Sequence, residues 1–349
     1  MSEQKQHKYL KNRELLKNIQ LSKASFTWYI DDTFRKTQYL NYDFIACAED
    51  LYYQCREQLL LQIVNNNRIK SNKRRTSMLR QEDLDNLTKE DYDHVDNRII
   101  IFQGTFDEQV MKKLRLGHYN RKLYEEGKKR VNKLPDDADI KDEDLVLRVF
   151  TYEHIPDSEE VKKNKKNILV SDYKKKVNFP PYKHYALIDG VETCVALSHY
   201  NKDKEFDTTC GKINDGLGMA FMKLTERIAR KHNWRDYSYI DDMITHALVQ
   251  LTSVGLQFNE LFSSNPFSYY TTVINNSFTV VFNSEKDTQE FRDKMLMKTG
   301  QMPSSTKQYE LEECRSRHWD KKMGKNDMQP SKVVHINPEE YNENLRNHK

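Results

Sequence analysis

The feature that most restricts this chain is the spacing of its apolar residues after residue 213. Ile213, Leu217, Ala220, Leu224 and Ile228 recur at intervals of three and four, which gathers them into one stripe on one side of a helix. Asn233-Trp234 ends that pattern. Ser238 is a good N-cap for a second helix, with Asp241 as capping-box partner and Asp242 where the N-terminal dipole favours acid. That helix is expected to run through Ile244, Leu248 and Leu251 and to stop near Gly255. Asn265-Pro266 opens a third, with Asn at the cap and Pro at the first helical position. The β-branched run Thr271-Thr272-Val273-Ile274, with Thr279-Val280-Val281, would be strand on propensity alone. Phe267, Tyr270, Ile274, Phe278 and Val281 nevertheless keep helical spacing, and the periodicity decides for helix.

Upstream the patterns are mixed. Residues 9–21 read as a short amphipathic helix with Leu15, Leu16 and Ile19 on one face. A second helical pattern starts near Asp43, a plausible cap, and carries Ile45, Ala48, Leu51, Tyr52, Cys55 and Leu59. Residues 65–80 read as a basic loop containing Lys73-Arg74-Arg75. Strands are expected at 99–102, 145–152, 185–188 and 191–197, a basic helix at 106–131, and a lysine-rich loop at 160–176. After Gly300 the chain turns polar, with Met302-Pro303-Ser304-Ser305 as a hinge before a loose tail.

Composition narrows the function classes. The chain has 349 residues, room for two domains of ordinary size. Apolar residues make up 37% and charged ones 32%, with mean hydropathy −0.91, so a modest core lies under a large solvated surface. The net charge of +4 is too small for an overall basic field, which leaves local runs as the relevant electrostatics. The five cysteines are odd in number, scattered and never Cys-x-x-Cys, which argues against structural zinc and a disulfide framework and for a reducing compartment. No signal-peptide core and no apolar run of about 18 residues is present, so a soluble, intracellular protein is expected. There is no Walker loop, Gly-x-Gly-x-x-Gly or Gly-x-Ser-x-Gly, and with 10 glycines a phosphate-cradling enzyme is disfavoured. His184, Cys194, His199 and Cys210 share one stretch, but their spacings match no usual zinc pattern. No catalytic, metal or cofactor site is assigned.

Several residues carry a family resemblance. These are Asn214-Asp215, Gly218-x-Ala220, Asn233-Trp234-x-x-Tyr237, Met243-Ile244, Phe258 and Asn265-Pro266-Phe267-Ser268-Tyr269-x-Thr271. Tyr9-x-x-Asn12-x-Glu14-Leu15-Leu16-x-x-Ile19 adds a shorter match near the N-terminus. Together they resemble conserved region 2 of sigma factors, in the form found in late-promoter sigma factors of T-even-type bacteriophages. The match covers about 80 residues, and residues 24–205 have no counterpart in those shorter relatives.

The resemblance implies a mainly α fold: a helical sigma region 2 domain with a large α+β insertion between it and an N-terminal helix. The implied division is an N-terminal helix at 1–23, a basic α+β insertion at 24–205, the sigma domain at 206–300 and a polar tail at 301–349. It also implies a non-enzymatic subunit acting in the cytoplasm of an infected bacterium. Asp242, Thr245, His246, Leu248 and Thr252 fall where sigma factors meet the β′ clamp helices of host core RNA polymerase. Phe258 and Tyr270 match aromatic positions that capture unstacked bases of the −10 element of promoter DNA, and Tyr269 matches the tyrosine of the phage turn. Val273 and Ile274 stand where primary sigma factors carry a tryptophan wedge, and Arg292 and Lys294 belong to the thin basic cluster that follows.

The phage relatives reach a co-activator and the sliding clamp through an acidic, aromatic tail. Here the terminal stretch offers only Tyr341 and Leu345 as anchors and does not match that motif. The insertion, with basic runs such as Lys112-Lys113-x-Arg115 and Lys128-Lys129-Arg130, is a candidate for an upstream grip on DNA. Because the wedge pair is missing, a rival reading stays open: a phage DNA-binding or polymerase-remodelling adaptor that opens no promoter.

Overall fold

The computed structural model describes residues 10–31, 38–136, 138–159 and 169–322. Tyr9, the lysine run at 162–166, and Tyr341 and Leu345 lie outside the described residues. The chain packs as two units, residues 1–281 and 282–349. The first unit holds the N-terminal helix, the whole expected insertion and the first three-quarters of the expected helical domain. Helices predominate, and a five-stranded mixed sheet carries the rest of the regular structure.

Helix α1 (Asn12–Ala24) buries Leu15 and Ile19, the stripe its spacing predicts. Strand β1 (Thr27–Tyr29) follows almost at once, then β2 (Phe44–Cys47). Helices α2 (Glu49–Lys70), α3 (Gln81–Asp85), α4 (Lys89–Arg98) and α5 (Glu108–Glu125) lead to β3 (Val146–Phe150), and β4 (Tyr182–Ile188) and β5 (Val191–Ser198) close the sheet. The strand order is β1-β5-β4-β3-β2. Only β2 and β3 run parallel, Ile45 opposite Arg148. A parallel pair needs a crossover, and α2 to α5 supply it. The β4–β5 hairpin turns on Asp189-Gly190, both at positive φ (53° and 79°), as a two-residue turn of the I′ kind requires.

Three expectations upstream are corrected. Asp43 caps no helix: residues 44–47 pair with β3, and the Asp43 carboxylate instead accepts from Val146 N at 2.8 Å and from Arg121 Nε at 2.8 Å. The helix starts only at Glu49, and it continues to Lys70 through the first third of the expected basic loop. Residues 99–102 form no strand, merely one parallel bridge from Ile101 to Cys47.

All five residues of β3 are buried, so the strand has core on both sides. Leu147 and Val149 pack with Ala46, Phe102, Val110 and Leu114. Val146 faces the other way, with Tyr29, Ala186 and Ala196. Arg148 shares that second face by the two-residue period of a strand, which buries a guanidinium against the sheet between β2 and β4.

Helix α6 (Asp215–Ala229) turns the opening stripe inward as predicted: Leu217, Ala220, Leu224 and Ile228 are buried. Asn214 caps it, its side-chain oxygen accepting from Gly216 N at 2.8 Å, and its own N–H reaches Ser22 Oγ of α1 at 2.9 Å. Helix α7 (Ile240–Val254) packs on α6, and α8 (Pro266–Lys298) begins at the proline, with Asn265 accepting from Ser268 N. The β-branched run is helical because the helical period buries Tyr270, Ile274 and Phe278 together, and its threonine hydroxyls find partners within the helix. Thr271, Thr272 and Thr279 each donate to the carbonyl four residues back.

In the second unit, α9 (Ser305–Lys322) occupies what was expected to be loose tail. Asp293 holds its start, accepting from Ser304 N at 2.8 Å and Ser304 Oγ at 2.7 Å. The hinge residues thus begin a capped helix.

Candidate functional site

Helix α7 divides cleanly. Met243, Ala247 and Leu251 are buried on one side, while Asp242, Thr245 and Thr252 are exposed on the other, with His246 and Leu248 half-buried at the borders of that exposed face. All five residues matched to polymerase contacts therefore share one side of one helix. Val249, 58% exposed, lies in the same row between Thr245 and Thr252 and had been overlooked. Its spacing from Asp242 and Thr245 could have found it. Thr245 and Thr252 donate to helix carbonyls (Asp241 O and Val249 O), so with their donors used they add methyl groups beside Val249. The face is thus apolar along its middle and acidic at its start, where Asp241 and Asp242 meet the free N–H groups of the first turn. The cap residue is Tyr239, without a side-chain cap, rather than the expected Ser238.

The residues matched to promoter contacts have different environments. Phe258 is 2% exposed, and Tyr270 and Ile274 are 0% exposed. The Tyr270 ring meets Phe221 of α6 edge-on at 4.9 Å, and the Tyr269 ring meets Phe258 at 5.7 Å. Tyr270 OH donates to Gly255 O at 3.0 Å and Tyr269 OH to Val254 O at 2.9 Å, tying the start of α8 to the end of α7. Gly255 is needed there, since a Cβ would lie 2.7 Å from the Phe221 ring. The expected stacking of bases on Phe258 and Tyr270 conflicts with this burial. Their rings are core, satisfied by neighbours, and a base could reach them only after they left it. Tyr269 and Val273 are half-buried and remain available at the surface. Arg292 and Lys294 are exposed residues of the second unit, Lys294 pairing with Glu290 at 2.8 Å.

Sequence reasoning missed the buried charge cluster that joins the sheet to the turn before α8. Lys23 Nζ, at the end of α1, donates to Phe258 O at 2.7 Å and to Glu260 Oε2 at 2.8 Å. Arg148 Nη1 lies 3.6 Å from Glu260 Oε1, and its guanidinium stacks on the Tyr42 and Tyr182 rings, 4.0 Å from each centroid. His184 Nδ1 donates to Tyr39 O at 2.8 Å, which leaves Nε2 to accept from Arg148 Nε at 2.9 Å. The imidazole is therefore neutral, and both its nitrogens have protein partners. Burial pushes the Glu260 carboxyl up, but Lys23 and Arg148 outweigh it and hold it below its ordinary value. Desolvation, helped by Arg148, lowers Lys23 against the pull of Glu260. The sequence signal was weak, because single charges in a chain with 32% charged residues do not announce burial.

Among the described residues no group of three or more His, Cys, Asp or Glu is arranged to hold a metal, and no helix is long and apolar enough to cross a membrane. Comparison with protein-family models, with curated proteins and with solved structures finds no match to this chain.

Proposed function

We propose that this chain is a sigma-type specificity factor, which binds the core RNA polymerase of a bacterial host and directs it to short A·T-rich late promoters of a phage. The observation that carries the reading is the exposed side of α7, where Asp242, Thr245, His246, Leu248 and Thr252 fall together with Val249. A helix side with an apolar centre and acid at its N-terminus suits a basic coiled coil, which it can meet lengthwise. Promoter recognition would rest on the turn between α7 and α8 and on Tyr269, an aromatic there that keeps surface. Opening favours A·T-rich steps because they cost least to unstack.

A second reading has its own observation. Burial of Phe258, Tyr270 and Ile274 leaves little to capture or wedge bases, which favours an adaptor that binds polymerase and DNA without opening promoters. Reconstituted transcription with core polymerase separates the two. The sigma-type reading expects initiation from a duplex late-type promoter. The adaptor reading expects polymerase binding with no initiation either from the duplex promoter or from a template already melted at the −10 element.

A further inference from the structure

Two adjoining cavities in the first unit remain without a role. One of about 570 Å³ lies between α1 and α5, and another of about 550 Å³ reaches from α4 and α5 to Glu260, Leu261 and Ser264 in the turn before α8. They share Tyr42, Asp43, Gly117 and Arg130, so they lie side by side as a groove along one face of α5. Its cations are Arg13, Lys17, Arg121 and Lys128 at one end, Arg98 and Lys113 at the other, and Arg130 between.

The carboxylates in this lining are largely occupied from within. Asp43 is held by Arg121 and Val146 N, and Glu260 by Lys23. Glu125 is the third. Lys128 pairs with Glu126 at 2.7 Å, and Lys113 Nζ donates to Asn97 O at 2.9 Å. Among the described residues Lys17, Arg98 and Arg130 have no carboxylate partner. Arg98 is half-buried, and burial followed by the like charge of Arg130 lowers its pKa. Two guanidinium groups without carboxylate partners in a concave site favour an anionic ligand. The cations extend over both cavities, which calls for a chain of phosphates rather than one. Tyr124, 46% exposed with the Arg13 guanidinium 4.6 Å from its ring centroid, offers a surface on which a base can stack.

We infer that this groove binds single-stranded DNA, its cations tracking the phosphates. An exposed aromatic ring beside the cations suits a strand with unpaired bases, which a duplex does not offer. The identification of the strand as the one displaced at an opened promoter rests on the sigma-type reading; binding by the groove does not.

The test is fluorescence anisotropy of the free full-length protein with an oligothymidylate about 20 nucleotides long, titrated across a range of salt. The comparison is the variant Arg98→Gln/Lys113→Gln/Arg130→Gln, checked for unchanged thermal unfolding. A second variant, Lys17→Gln/Lys128→Gln, probes the other end and involves no half-buried arginine. Wild type is expected to bind, with the triple variant at least about tenfold weaker and its log–log salt slope flatter by about 2, at about 0.7 per lost contact. Equal affinity and slope in folded variants would overturn the inference. So would absence of binding by wild type, or a preference for duplex DNA or for oligouridylate. Failure of the sigma-type reading shows separately, as wild type that binds the oligonucleotide but supports no promoter-directed transcription.

Discussion

Lys23 and Glu260 stand 237 positions apart in sequence and form a 2.8 Å ion pair with both side chains almost fully buried. The pair joins the end of α1 to the turn that precedes α8, with Arg148 of β3 on the far side of the carboxylate. Three segments that sequence reading assigned to an N-terminal helix, an insertion and a helical domain therefore share one polar core. Such a cluster is costly to assemble and more costly to break, because an unpaired charge is left without water.

Lys23→Met is accordingly expected to destabilise the protein by about 3–5 kcal/mol, read from urea unfolding. Lys23→Met/Glu260→Gln should recover part of the loss, since no carboxylate is then stranded. A single variant within about 0.5 kcal/mol of wild type would remove the cluster from the account of stability.

Tyr269 and Tyr270 are neighbours with opposite expectations. Tyr270→Ala empties core against Phe221 and should cost about 3–5 kcal/mol, lowering transcription equally on duplex and pre-melted templates once folded protein is matched. Tyr269→Ala should cost less stability and reduce initiation on duplex more than on pre-melted DNA. The reverse ranking would return Tyr270 to the DNA.

Much of the helical region was legible in the sequence. The stripe from Leu217 to Ile228 is read correctly because one period explains every apolar residue in it. Periodicity also assigned Tyr270, Ile274 and Phe278 to one inward face, whereas the family resemblance assigned Tyr270 and Ile274 to DNA, and burial sides with the periodicity. The β2 strand was hidden because Phe44-Ile45-Ala46-Cys47 runs straight into a helix, and its apolar residues happen to extend the helical pattern. The insertion's integration into the first unit was not legible either. All five strands lie inside it, but Arg148 of β3 meets Glu260 beyond it, and contacts between residues so far apart in sequence leave no local trace.

Acid should unfold the protein earlier than its carboxylates alone require. Burial holds the His154 imidazole down at about 4 and His199 at about 3, and burial with the Arg148 charge keeps His184 well below its ordinary value. The folded values are depressed, so the unfolded chain takes up protons first as the pH falls below about 6.5. Stability is then lost between about pH 6.5 and 4, at about 1.4 kcal/mol per pH unit for each histidine. Glu260 adds a loss of the same sign at lower pH, as its carboxylate protonates. Urea midpoints that do not fall from about pH 7.5 to about pH 5 would contradict the buried neutral histidines.

Two glycines should respond in opposite directions to alanine. At Gly117 a Cβ would lie 2.0 Å from the Asp43 carbonyl oxygen, a backbone atom pinned beside β2, and Gly117→Ala should destabilise by about 3 kcal/mol or more. At Gly218, inside α6, nothing lies within 4 Å, and Gly218→Ala should stabilise by about 0.5–1 kcal/mol. Thermal unfolding of the two variants checks both signs at once.

The central claim is that the exposed side of α7 docks on core RNA polymerase. Its most direct measurement is equilibrium binding of the full chain to purified core enzyme, in competition with the host's principal sigma factor. Wild type is compared with Asp242→Lys/Val249→Glu, which alters only exposed side chains. The account predicts that wild type binds and competes, while the variant, folded to the same melting temperature, binds at least about tenfold more weakly, a change of about 1.4 kcal/mol. Wild type that fails to bind core enzyme, or a folded variant that binds equally well, would contradict it.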